Sequence, residues 1–352
     1  MIYVNARFLT QNITGVQRYA IEISRQLKKL YCENIAFVCP SDIVSKDIAK
    51  ELDAKVIGSH HGHFWEQFDL PLYLNRKESP LLLNLCNLAP ILYHNKVTTL
   101  HDITFIKYPH TFSTVFVAFY RFMIPLVLRT SKHIFTVSEF SKKEIFDYYR
   151  VNINKLTVVY NAVSGCFRKL NDEKLSQKKY FMAVSSVKEN KNFIYILDAF
   201  MKLTEKNPSV ELFVIGDLKS KSFQTLDVSR YSNNQQIKFL GRISDEELIK
   251  YYSNATAFIF PSLYEGFGIP PLEAQACGCP AICANASCLP EIFGDSVMYC
   301  NPHDVSSLLK AMGEIISDEK KRSSLVRLGL KNIERYSWRQ SAKKMQSVLE
   351  KI

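Results

Sequence analysis

Short apolar runs alternate with longer stretches of helical spacing along all 352 residues. In the first half the pattern predicts strands at 2–5, 35–41, 54–58, 80–87, 96–102, 133–139 and 155–161. In the second half it predicts strands at 179–186, 210–217, 236–242, 255–262, 280–285 and 296–300. Several of these runs are apolar throughout rather than alternating, as expected of parallel strands covered on both faces by helices. Between the halves, residues 163–179 are polar, charged and aperiodic, which marks a linker. The expected fold class is α/β: two doubly wound Rossmann-like domains in tandem, facing a central cleft, with ligands bound beyond the carboxyl ends of the strands.

Composition changes this picture little. Hydrophobic residues at 47% and charged residues at 22% are ordinary for a globular chain. A net charge of +11 points to anionic partners such as phosphorylated substrates or an acidic membrane face. Nine cysteines, mostly in apolar runs, and an N-terminus without a leader-like pattern lead to the expectation of a reducing cytoplasm. The spacing of Cys277, Cys279, Cys283 and Cys288 lacks the paired CxxC of a zinc ribbon, so no metal is expected. The stretch VFVAFYRFMIPLVL, 115–128, is too short and too interrupted to span a bilayer. It reads as a core helix or as an interfacial one beside Arg121, Arg129, Lys132 and Lys142. Neither GxxxxGK[ST] nor GxGxxG follows any strand, which disfavours a P-loop NTPase or a nicotinamide dehydrogenase.

The most informative stretch is YEGFGIPPLEAQACG, 264–278, directly after a predicted buried strand. Gly266 and Gly268 let the main chain approach a ligand, Pro270 and Pro271 suit a first helical turn, and Gly278 suits the helix end. Strand, glycine loop and helix N-terminus make an anion site fit for a diphosphate. Glu273, inside the helix, would repel a diphosphate but could accept hydrogen bonds from a diol such as ribose. Glu265 would face the other end of the same ligand. Diol, diphosphate and second polyol describe a nucleotide sugar.

Residues 260–280 resemble the E-x7-E signature of retaining GT-B glycosyltransferases. NASCLPEIFGD (285–295), FLGRISDEEL (239–248) and RYSWR (335–339) are similar to further segments of that family. The resemblance implies a domain 1–165 on the acceptor side, a nucleotide-sugar domain 175–336, and a final helix 337–352 that packs back on the first domain. It implies that Glu265 contacts the transferred sugar, that Glu273 binds the ribose, and that backbone N–H groups of Gly266, Phe267, Gly268 and Ile269 hold sugar and phosphate. Lys191 matches the family's phosphate-binding lysine, whereas Asn190 stands where an arginine is common; Lys188 is a candidate to compensate. Gly15, in TGVQRY (14–19), matches the glycine turn that approaches the donor phosphates, with Arg18 as a secondary candidate. His101, in TTLHD (98–102), matches the active-site histidine, with Asp102 either orienting it or fixing a loop. Asn161, Ser186 and Arg242, together with Ser138 and Glu139, end strands and have weaker claims.

The stretch HHGHFW, 60–65, looks like metal chemistry but reads as a mobile acceptor-side loop. The implied reaction is transfer of a hexose, mannose first, from a GDP- or UDP-linked donor to a glycan or lipid-linked acceptor in surface-polysaccharide synthesis, without a cofactor or metal. Peripheral contact with an anionic inner membrane is expected, and nucleic acid is not. A glycoside hydrolase using the two glutamates, or a non-catalytic nucleotide-sugar binder, are the alternatives.

Overall fold

The computed structural model describes residues 1–184, 189–216, 231 and 234–352. They form two compact units, one of residues 1–161 with 337–352 and one of residues 162–336. The first unit holds a sheet of seven parallel strands, β1 (Ile2–Asn5), β2 (Ile35–Cys39), β3 (Lys55–Val56), β4 (Leu81–Asn84), β5 (Lys96–Thr99), β6 (His133–Thr136) and β7 (Leu156–Val158). Their order across the sheet is 3-2-1-4-5-6-7. The second unit holds six parallel strands, β8 (Tyr180–Val184), β9 (Glu211–Ile215), β10 (Ile237–Gly241), β11 (Ala257–Phe260), β12 (Ala281–Ala284) and β13 (Met298–Cys300), in the order 10-9-8-11-12-13. In each sheet the winding reverses once, between β1 and β4 in the first and between β8 and β11 in the second.

The apolar runs are the central strands. Every residue of β11 is buried, and Phe181, Met182, Ala183, Ile259 and Ile282 pack in the core of the second unit. In the first unit Tyr3, Val38, Leu82 and Trp65 form one cluster. An exception is Lys96, fully buried at the start of β5. Its ammonium donates to the Tyr93 carbonyl and the Thr130 hydroxyl, both at 2.7 Å, and burial lowers its pKa to about 7.

Two expectations need correction. The boundary falls between Asn161 and Ala162, so residues 162–165 belong to the second unit rather than the first. The polar stretch that follows is not a free linker. Leu170 N–H donates to Ser253 Oγ at 2.9 Å, Asp172 N–H donates to Asn254 Oδ1 at 3.3 Å, and Phe167 is buried, which straps the segment to the second unit. Most of its side chains are nevertheless exposed, which accounts for its polar, aperiodic sequence.

Helix Thr114–Thr130 combines both readings given to it. Val117, Met123, Ile124, Val127 and Leu128 are buried, while Val115 and Phe122 are exposed.

The last helix, Trp338–Leu349, completes the first unit. Its Trp338 ring lies 6.0 Å from Tyr19, Ser341 Oγ donates to the Tyr160 carbonyl at 2.6 Å, and Ala342 and Met345 are fully buried. Met345→Ala is expected to destabilise the protein by about 2–5 kcal/mol through the cavity it leaves, read as a lower urea midpoint.

Candidate functional site

In the second unit the winding reverses between β8 and β11, the place in an open parallel sheet whose strand ends admit a ligand. After β8, residues 185–188, which include Ser186 and Lys188, lie outside the described residues. The next turn, Glu189–Lys191, brings Lys191 beside the loop that follows β11. Lys191 Nζ donates to Glu265 Oε1 at 2.5 Å, with the two side chains only 23% and 13% exposed. The same ammonium sits 5.7 Å from the centre of the Phe260 ring.

Asn190 has a different task from the arginine it replaces. It is buried, its side chain donates to the Tyr264 carbonyl at 3.3 Å, and its own carbonyl accepts from Leu263 N–H at 2.8 Å. It therefore stitches the two loops together and holds Lys191 in register with Glu265. Lys191 is the cation of the pair seen here.

Glu265 N–H donates to Ser287 Oγ at 3.2 Å, which ties the loop to the turn after β12. Gly268 caps helix Ile269–Ala276 with φ +93°, and a Cβ there would lie 2.9 Å from Leu289 Cδ2 and 3.3 Å from Phe293 Cε2. Only glycine fits. Phe267 turns its ring into the core, edge-on to Tyr336 at 5.4 Å. Pro270 and Pro271 have no N–H, so this helix start offers fewer donors than an ordinary one. Glu273 is 7% exposed. Its charge, second to burial itself, helps raise the Tyr252 hydroxyl well above its ordinary pKa. Arg242 follows β10, an edge strand two places from β8, and stands apart from the pair in the sheet order.

The remaining candidates lie in the first unit. Gly15 opens helix Gly15–Tyr31 and is exposed; Thr14 N–H donates to Gln17 Oε1 at 3.2 Å, which caps the turn. Arg18 is half-buried one turn on. His101, two residues past β5, is 5% exposed, with its ring edge-on to Tyr19 at 4.8 Å. Burial lowers its pKa and outweighs the Leu85 carbonyl and the Asp102 charge, so the ring is neutral. Nε2–H donates to Leu85 O at 3.0 Å, which leaves Nδ1 as an acceptor. Asp102 does not hold this ring: Oδ1 accepts from Thr104 N–H at 2.8 Å and from the Thr104 hydroxyl at 2.6 Å, fixing the next loop. Ser138 is a helix cap, accepting from Ser141 N–H at 3.0 Å, and Glu139 opens that helix. Asn161 is buried at the end of the unit.

The His60–Trp65 stretch is pinned rather than loose. Trp65 is fully buried and donates to Ile57 O at 2.7 Å. Each histidine faces a carboxylate through Nδ1: His60 with Asp69 at 2.8 Å, His61 with Asp42 at 3.2 Å, and His63 with Glu66 at 3.3 Å. Among the described residues no three His, Cys, Asp or Glu side chains are placed to hold a metal ion. Sequence reasoning missed the cluster beneath this loop, in which Glu66 Oε1 accepts from Asn5 Nδ2 at 2.8 Å and Arg7 Nε at 3.2 Å. The available signal was a pair of asparagines, Asn5 and Asn84, each closing an otherwise apolar strand.

Residues 168–331 match the family model described as Glycosyl transferases group 1. The chain is 31% identical over 333 residues to the O-antigen chain mannosyltransferase RfbU of Salmonella typhimurium, covering 89% of this chain and 90% of that protein. It belongs to the group 1 glycosyltransferases. The O-antigen chain mannosyltransferase B of Escherichia coli is 25% identical over 93% of both chains. The crystal structure of Anabaena HepE in complex with UDP-glucose superposes with a TM-score of 0.77 at 16% identity, over 100% of this chain and 99% of that one. The fold is therefore GT-B, as the resemblance implied, and the protein is a glycosyltransferase rather than a hydrolase or a silent binder.

Gly268→Ala in this enzyme is expected to cost about 1–3 kcal/mol of stability, from a strained φ and an overpacked contact with Leu289. Thermal unfolding would show it, whereas Gly313→Ala, inside helix Val305–Ser317 with nothing within 4 Å of the added Cβ, raises the midpoint slightly.

Proposed function

We propose that the enzyme moves mannose from a GDP- or UDP-linked donor to a hydroxyl of a glycan or lipid-linked acceptor, with retention, during surface-polysaccharide assembly. The observation that carries this reading is the Lys191–Glu265 pair at the winding reversal of the second sheet, beside the Gly268 loop. A diphosphate entering here draws Lys191 to itself and frees Glu265 to accept hydrogen bonds from the sugar. Glu273, buried one helical turn further on, takes the ribose diol. Lys191 and the loop N–H groups stabilise the departing diphosphate, a preorganised effect worth a few kcal/mol per donor. No protein carboxylate is assigned as nucleophile: a diphosphate oxygen takes the acceptor's proton on the face where it leaves, which retains the anomer. Mannose is favoured by the names of the relatives described above.

The reading requires no metal or cofactor, since Lys191 supplies the positive charge. Turnover of GDP-mannose is expected to survive EDTA and to fall about 10²–10³-fold in Lys191→Met. Loss of activity with the chelator, or an unimpaired Lys191→Met enzyme, would overturn this assignment.

The membrane is the second partner in this proposal. Among the described residues no helix is long and apolar enough to cross a bilayer. Phe64, Phe68, Leu72, Val115 and Phe122 are nevertheless more than half exposed, and the His63–Phe119 ring contact at 4.9 Å joins their two segments. With Arg121 and Arg129 on the same helix, this face suits a lipid-linked acceptor at the cytoplasmic face of an anionic membrane. Flotation with phosphatidylglycerol vesicles is expected to carry the enzyme and to fail for Phe64→Ser/Phe122→Ser; equal flotation of both would count against the face.

A further inference from the structure

We propose that His63 and Arg7 form a second polyol site, at the winding reversal of the seven-stranded sheet, that holds hydroxyls of the acceptor sugar. Glu66 is its positioning carboxylate. The inference rests on the glycosyl-transfer reading above and names residues for its other substrate.

Asn5 and Asn84 end β1 and β4 opposite one another, at the place where an open parallel sheet admits a ligand. Asn5 Nδ2 bridges Glu66 Oε1 at 2.8 Å and Asn84 Oδ1 at 3.0 Å. Glu66 is 1% exposed, and Arg7, 8% exposed, gives it one hydrogen bond through Nε at 3.2 Å. Among the described residues neither Nη nitrogen of Arg7 makes a hydrogen bond, and neither is a fully buried orphan, so both are placed to donate to a ligand at the edge of the cluster. Burial alone would raise the Glu66 pKa, but Arg7, with His63 and Asn5, outweighs it and keeps the carboxyl ionised.

That carboxylate fixes His63. Glu66 Oε2 accepts from Nδ1–H at 3.3 Å, which leaves Nε2 as the ring nitrogen for a ligand, and the side chain is 42% exposed. The Phe119 ring lies 4.9 Å from the imidazole and offers an apolar surface to the C–H face of a sugar. Tyr120, stacked on Phe116 at 4.0 Å, stands within electrostatic range of both Arg7 and Glu66.

The chemistry selects the ligand. Arg7 and Glu66 cancel one another, so an added anion would meet a carboxylate it cannot displace. A neutral hydroxyl is suited to the pair, because it accepts from Arg7 Nη and donates to His63 Nε2. The site therefore takes vicinal hydroxyls of a neutral sugar.

His63 is the residue to test, because its exposed ring can be removed without unfolding the buried cluster, which an unchanged thermal midpoint verifies. With octyl α-mannoside as the acceptor probe and GDP-mannose as donor, His63→Ala is expected to raise the acceptor KM about tenfold. Slow hydrolysis of GDP-mannose by water and affinity for GDP stay unchanged, and His63→Gln, which can still offer an acceptor oxygen, recovers part of the loss. An unaltered acceptor KM, a parallel loss of GDP affinity, or no transfer to or binding of octyl α-mannoside by the wild type would each overturn the site. Failure of the donor reading has a different signature: the wild type would neither bind GDP nor hydrolyse GDP-mannose.

Discussion

A parallel sheet that reverses its winding must leave a gap where neighbouring strands send their chains to opposite faces. Both units obey this constraint, at β1 and β4 in one and at β8 and β11 in the other. The strands around each gap are apolar and covered, so polar side chains can collect only at their carboxyl ends. Lys191 and Glu265 do so in the second unit; Asn5, Arg7 and Asn84 do so in the first. The chemistry follows the topology, and the rest of each unit keeps those strand ends in place.

The same electrostatic solution appears twice. A carboxylate taken largely out of water needs a cation and further donors, or it protonates. Glu265 has Lys191, with Asn190 fixing the loop that carries the lysine. Glu66 has Arg7, Asn5 and His63. In each case the cation comes from the segment after one strand of the reversal. These pairs contribute little as net stability, since desolvation offsets much of the attraction, but they fix where each charge sits.

The strands were legible in the sequence because a strand buried on both faces has no polar alternation to obscure it. The Glu265–Glu273 segment was legible because its strand end, glycine turn and helix start are contiguous. What could not be read were pairings across long separations. Lys191 and Glu265 are 74 positions apart, and Asn5 meets Glu66 and Asn84 at separations of 61 and 79. Asn190 looked like a missing cation because its neighbour Tyr264 is distant in sequence. The three histidines suggested a metal or a loose loop only while Asp42, Glu66 and Asp69 were invisible as their partners.

In the donor site proposed above, the union of Lys191 with Glu265 would also set a threshold for what can enter. A small oxyanion such as inorganic phosphate could attract the lysine, but it would strand a mostly desolvated carboxylate with nothing to satisfy it. A ligand that brings hydroxyls along with its charge compensates both halves of the broken union at once. At the proposed donor site abundant simple anions are thereby discouraged, because they cannot satisfy the carboxylate that the lysine would leave.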